Sequence, residues 1–171
     1  LADLLARFVI ARNESVPLEQ ALEEAAHVEP LLILKKGGLE EPEPDRWTED
    51  LIRRLLLDVV PRHQMQPREL YLAQIPALGE YFTFLASCGR WSAENLDLDS
   101  AQALLRDLVL PVLETVEDPS RPSEPEIILA YARSQGIDPG DPQTFAQFLA
   151  WFNGELTREE RRGIATTGRF P

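Results

Sequence analysis

The chain is short of the residues that most often carry chemistry. A single cysteine, Cys88, stands among 171 residues, which excludes an intramolecular disulfide and any multi-cysteine metal site. Only His27 and His63 are on hand for histidine-assisted catalysis or metal binding. No glycine-rich phosphate loop is present, because Gly37-Gly38 stands alone without the strand and helix that such loops join. Strand signals are nearly absent, with no alternating apolar runs and no Asn-Gly hairpin turn. No apolar run nears the ~18 residues that span a bilayer; Leu55 to Val60 is interrupted by Asp58. Lysine is confined to Lys35 and Lys36, so nearly all positive charge is arginine, a bias expected of a GC-rich bacterial source.

Negative charge is plentiful. The 29 acidic residues outnumber the 17 basic ones and give a formal net charge of -12. Binding to a phosphate backbone needs a basic footprint that releases counterions, and an acidic field repels DNA, RNA and anionic lipid. The densest arginine group, Arg158, Arg161, Arg162 and Arg169, is interleaved with Glu155, Glu159 and Glu160. A protein partner with a basic surface, or simple solubility, accounts for the acidity, and neither nucleic acid nor a membrane is expected as partner. No basic, apolar, small-residue leader is seen at the N-terminus, so a cytoplasmic location is expected. The chain opens on Leu1 rather than Met, which leaves open what precedes it.

Apolar spacing predicts an all-α fold, a multi-helix bundle of about seven amphipathic helices. The first helix runs from Leu1 to Arg12. A second follows Pro17, with Leu18, Ala21, Leu22, Ala25 and Val28 on its inner face, and Pro30 is expected to stop it. Leu31 to Leu34 reads equally as a buried strand or a helical turn, and Lys35 to Gly38 as a turn. The proline- and glutamate-rich stretch 39–46 is either a linker or an exposed loop. On the linker reading, residues 1–38 form a separate N-terminal arm of an otherwise single domain, 1–171. Thr48 is the N-cap of the next helix, stapled by Trp47 and Ile52, and Pro61 is expected to close it.

Pro76 is then expected to open the central element, buried near residues 76–88. Its polar members Glu80, Thr83 and Ser87 fall on one narrow strip, and a helix apolar on every other side must be covered on most sides. Gly89 supplies a left-handed cap. Asp99 and Gln102 predict a capping box for the following helix, with a kink or break at Pro111. Ser123 with Glu126, Asp141 with Pro142, and Thr157 with Glu160 mark the starts of three final helices, and Gly136 stops the first of them.

Several residues invite a chemical reading. Glu24 and His27 share a helix face at Glu-x-x-His spacing, as in half of a bundle di-iron site. The second such pair is missing, and both residues lie away from the apolar stripe, so a solvated face is expected and no metal. Asp138 and Asp141 lack the further ligands of a calcium loop. Arg53 and Arg54 have Glu49 and Asp50 as neighbours, and Cys88 falls on an apolar wall. No catalytic or cofactor-binding residue is assigned. Tyr81, Phe84 and Trp91 are the candidate lining of an aromatic ligand pocket.

The segment from Asp138 to Arg161, D-P-G-D-P-Q-T-F-A-Q-F-L-A-W-F-N-G-E-L-T-R-E-E-R, resembles the closing segment of some uncharacterised all-helical bacterial proteins. That resemblance covers about the last fifth of the chain. It implies helices and caps, and no catalytic or binding residues. The leading functional expectation is a non-enzymatic interaction or regulatory module. The alternatives are a small-molecule sensor built on Tyr81, Phe84 and Trp91, and an enzyme using scattered carboxylates with His27 or His63.

Overall fold

The computed structural model describes residues 1–171, all helices and loops without a strand. Two compact units divide the chain: Leu1–Pro61 with Gln66–Asp118, and Arg62–Met65 with Pro119–Pro171. Residues 1–38 fall inside the first unit, and the break near Pro119 lies far from 39–46. No helix is long and apolar enough to cross a membrane.

The first unit contains α1 (Ala2–Arg12), α2 (Leu18–Gly38), α3 (Glu49–Arg54), a π turn (Leu55–Val59), the start of α4 (Val60–His63), α5 (Arg68–Ser87) and α6 (Leu98–Val116). The last two residues of α4 belong to the second unit. α5 packs against α1, α2 and α6 and buries Tyr71, Ile75, Leu78, Tyr81, Phe82 and Leu85 among its side chains. The second unit is built from α7 (Glu124–Ser134), α8 (Pro142–Gly154) and α9 (Arg158–Thr167). Tyr131, Phe148, Phe152, Leu156 and Ile164 make its core, with Trp151 partly buried beside it. His63 joins that unit through Nδ1, 2.9 Å from Glu124 Oε2.

Proline marks most of the differences from expectation. Pro30 lies inside α2, which continues through Leu31–Leu34 and through the Lys35–Gly38 stretch expected to turn. Pro76 lies inside α5, which begins at Arg68 rather than at Pro76. Pro111 lies inside α6 and does not break it. Pro61 is followed by two more helical residues, and just before it the chain takes a π turn, with the Val60 N–H donating to the Leu55 carbonyl. An interior proline costs about 3 kcal/mol, through one lost donor and a clash four residues back. Buried residues beyond each proline offset it: Leu31 and Leu32, Leu78 and Tyr81, Val112 and Leu113. Tertiary burial outweighs local propensity at all three. The face of α2 is also rotated from expectation, with Ala21, Ala25 and Val28 buried and Leu18 and Leu22 exposed.

Helix ends follow the sequence more closely, because each is settled within a few residues. Thr48 Oγ1 accepts from the Leu51 N–H at 3.3 Å. Ser123 with Glu126 and Thr157 with Glu160 form reciprocal capping boxes. Asp141 caps α8 through the Gln143 N–H. After α5, Gly89 adopts φ +71°, and the chain closes with Gly89 N–H to Ala86 O at 3.1 Å and Arg90 N–H to Leu85 O at 2.8 Å. These two bonds are a Schellman pair, whose positive φ glycine takes without strain. α6 departs from expectation: its cap is Asp97, accepting from the Ser100 N–H at 2.9 Å, and not Asp99.

Gly38 sets how closely α2 approaches the π turn. A Cβ built there would lie 2.5 Å from Val59 Cγ1, and Val59 is buried and β-branched, with little freedom to turn away. Gly38→Ala should therefore lose about 1–3 kcal/mol to overpacking, more than the helix gains from alanine. Urea unfolding of the variant checks this, and an unchanged or raised midpoint would contradict it.

Candidate functional site

Two grooves flank the outer edge of α5. The first is organised by Arg12, at the end of α1. Its Nε and Nη2 donate to Glu24 of α2 at 2.6 and 2.9 Å, and Nη1 lies 3.1 Å from Glu80 Oε2 of α5. A planar guanidinium suits this fork of two hydrogen bonds. The Arg12 hydrogen bond is the main reason that Glu24 is held below the usual carboxylate range, and the same bond raises Arg12 above its ordinary value. Gln20 Nε2 adds a third hydrogen bond to Glu24 at 3.0 Å. An open groove of about 660 Å³ lies here, lined by Glu19, Glu23, Glu24 and Glu80, with Arg12 as its one fixed cation and His27 at its wall.

This geometry changes the reading of the Glu24–His27 step. Glu24 is shielded and holds an arginine, where a solvated face was expected. His27 Nε2 faces Glu23 at 3.9 Å. No group of three or more His, Cys, Asp or Glu side chains is placed to hold a metal ion.

The second groove, of about 370 Å³, runs between α5 and α6. Leu72, Ile75, Leu105 and Val109 give it an apolar lining, and Gln102, Arg106 and Glu80 are its polar members. Gln102, expected to complete a capping box, instead reaches across to α5. Its Nε2 donates to the Gly79 carbonyl at 2.7 Å and to Thr83 Oγ1 at 3.2 Å. A Cβ on Gly79 would stand 2.8 Å from Gln102 Oε1, so the missing side chain admits this bridge. Pro76 and Glu80 line both grooves and form the ridge between them. Of the polar strip expected from Glu80, Thr83 and Ser87, only Glu80 stands on this ridge; Thr83 takes the Gln102 hydrogen bond, and the Ser87 hydroxyl donates to the Phe84 carbonyl at 2.8 Å.

The three aromatic residues expected to line a pocket are engaged otherwise. Tyr81 and Phe84 are buried against Phe8 of α1, with ring centroids at 5.6 and 5.5 Å. The Tyr81 hydroxyl donates to the Pro44 carbonyl at 3.2 Å, and burial raises its pKa well above that of an ordinary phenol, so it is the weaker acid. Trp91 packs on Phe82 at 5.0 Å and donates through Nε1 to the Leu96 carbonyl at 3.0 Å. None of the three lines either groove. Cys88 is partly buried, its thiol directed at the Leu85 carbonyl at 3.5 Å.

No family model, curated protein or solved structure matches this chain. The grooves are therefore interpreted from their own geometry.

One residue of the first unit is buried where the sequence predicts a turn. Lys35 is only 1% exposed. Its ammonium donates to the Glu43 carbonyl and lies 4.8 Å from the centroid of the Trp47 ring. Burial lowers its pKa from 10.5 to about 8, against the opposing pull of Glu41, Asp45 and Glu43. Stretch 39–46 is pinned from several sides: the Trp47 indole and Tyr81 hydroxyl reach Pro44 O, and Arg90 grips Asp45 at 2.6 Å. A signal for Lys35 was available, because Val28, Leu31, Leu32 and Lys35 follow the i, i+3, i+4, i+7 spacing of one buried stripe.

Proposed function

We propose that the chain is a non-enzymatic interaction module, the helices of its first unit gathered around α5, which receives a basic segment of a partner protein in the groove between α1, α2 and α5. The observation that carries this reading is the imbalance of that groove: four glutamates surround it against Arg12 alone as fixed cation. Arg12 engages Glu24 and Glu80, which leaves Glu19 and Glu23 to meet an incoming lysine or arginine. The net charge of -12 draws such a partner in and repels acidic competitors. The histidines give no support to a catalytic reading: His63 is held by Glu124, and His27 faces Glu23. Neither contact is a nucleophile–base pair. A small-molecule sensor built on Tyr81, Phe84 and Trp91 has less support, since those rings serve packing.

Reversing Glu19 and Glu23 to lysine should weaken binding of a lysine-rich peptide about tenfold and flatten its salt dependence. Both residues are exposed, so the melting temperature should hardly change. Equal binding by the wild type and the double variant, measured by calorimetry at two salt concentrations, would count against the acidic groove as the site.

A further inference from the structure

The α5/α6 groove extends this reading from a basic segment to a particular kind of segment. We infer that the partner presents an amphipathic helix whose apolar face lies between α5 and α6 and whose basic flank crosses the Pro76–Glu80 ridge into the acidic groove. The basic half of this inference rests on the function proposed above; the apolar half rests on separate residues.

Leu72, Ile75, Leu105 and Val109 line a trough along two packed helices. Such a trough takes the side-chain ridge of a third helix. Strand addition would need an open sheet edge, and the chain has no strand. Gly79, lacking a side chain, lets Gln102 close over the trough's floor and tie α6 to α5. Pro76 has no N–H, so the Leu72 carbonyl lacks its usual donor four residues on.

The charges on either side fix the pattern of the visitor. Glu80 stands on the ridge toward the acidic groove, and Arg106 lies along the α6 side, exposed and without an ion pair. The matching helix carries Lys or Arg on one flank and Asp or Glu on the other. A second copy of this chain fits poorly. Its own exposed apolar stripe, Leu18, Leu22 and Ile33 on α2, would bring Glu19, Glu23 and Glu29 toward Glu80, and like charges meeting across an interface oppose docking.

The test uses the full chain and a synthetic helix with leucines at i, i+3, i+4 and i+7, lysines on one flank and glutamates on the other. A scrambled peptide of the same composition serves as control. Leu72→Gln with Val109→Gln should lower affinity about tenfold while leaving the salt dependence intact. The Glu19→Lys, Glu23→Lys variant should lower affinity and flatten that dependence. Hydrogen exchange on the wild-type protein reads the same contact without a variant, and the peptide should protect residues 72–80 and 102–109. Loss of binding in the charge variant alone, without that protection, would keep the acidic groove and overturn the apolar one. Equal binding of the scrambled peptide, or none of either, would overturn the helix assignment. So would concentration-dependent self-association that Leu72→Gln with Val109→Gln abolishes, which would identify the occupant as a second copy.

Discussion

Replacing Trp47 with alanine is expected to lower the free energy of unfolding by about 3–5 kcal/mol. The side chain is fully buried, and its ring meets Phe82 at a centroid distance of 4.9 Å. Its indole N–H donates to Pro44 O at 2.9 Å, its backbone N–H to Asn95 Oδ1 at 2.9 Å, and its carbonyl accepts from the Leu96 N–H at 3.0 Å. One residue therefore fastens two loops, 39–46 and 88–97, to the core. Alanine would remove the ring, leave a cavity, expose the Pro44 carbonyl and take the aromatic face from beneath Lys35. Trp47→Phe separates these effects. It keeps much of the burial and loses the indole hydrogen bond, for about 1–2 kcal/mol, with faster hydrogen exchange in 39–46. Urea unfolding monitored by far-UV circular dichroism measures both. A loss below about 1 kcal/mol for Trp47→Ala would mean that loop 39–46 is held by something other than this ring, since the backbone bonds to Asn95 and Leu96 remain in alanine.

The parts of this fold that could be read from the sequence are those decided locally. Helical spacing and absent strand signals gave an all-helical chain, and caps such as Thr48, Ser123 and Thr157 act over three residues, so their partners were visible. Prolines misled for the opposite reason. Whether Pro30 or Pro76 ends a helix depends on what the following residues bury, and their neighbours come from distant segments. The site was legible in the same uneven way. Glu80 and Thr83 stood out as a polar strip on α5, yet the groove beside them needs Arg12 from α1 and Glu24 from α2. Tyr81 and Phe84 were expected to line a pocket with Trp91. That Phe8 fills the space before them is a fact about α1 packing, which α5 does not encode.

Lys35 gives the second large effect, and its sign depends on the substitution. Lys35→Glu would bury a carboxylate beside Glu41, the Glu43 carbonyl and Asp45, over the electron-rich face of Trp47. An unpaired charge in such a place costs about 3–5 kcal/mol. Lys35→Met keeps the length and the packing and removes a charge that burial disfavours. It loses one hydrogen bond and the contact with the indole ring, so stability at pH 7 should stay near wild type or rise. The pH dependence isolates the charge itself. Folding lowers this pKa from 10.5 to about 8, so between those values the unfolded chain holds a proton that the folded chain has released. Stability must then rise with pH across that window, with the gain complete above 10.5 and absent below 8. The wild type minus Lys35→Met difference should show this rise, because other groups titrating in the range are common to both proteins. A flat difference between pH 8 and 10.5 would mean that the ammonium is solvated in the folded chain, and the loop at 39–46 would then be held by Trp47, Tyr81 and Arg90 alone.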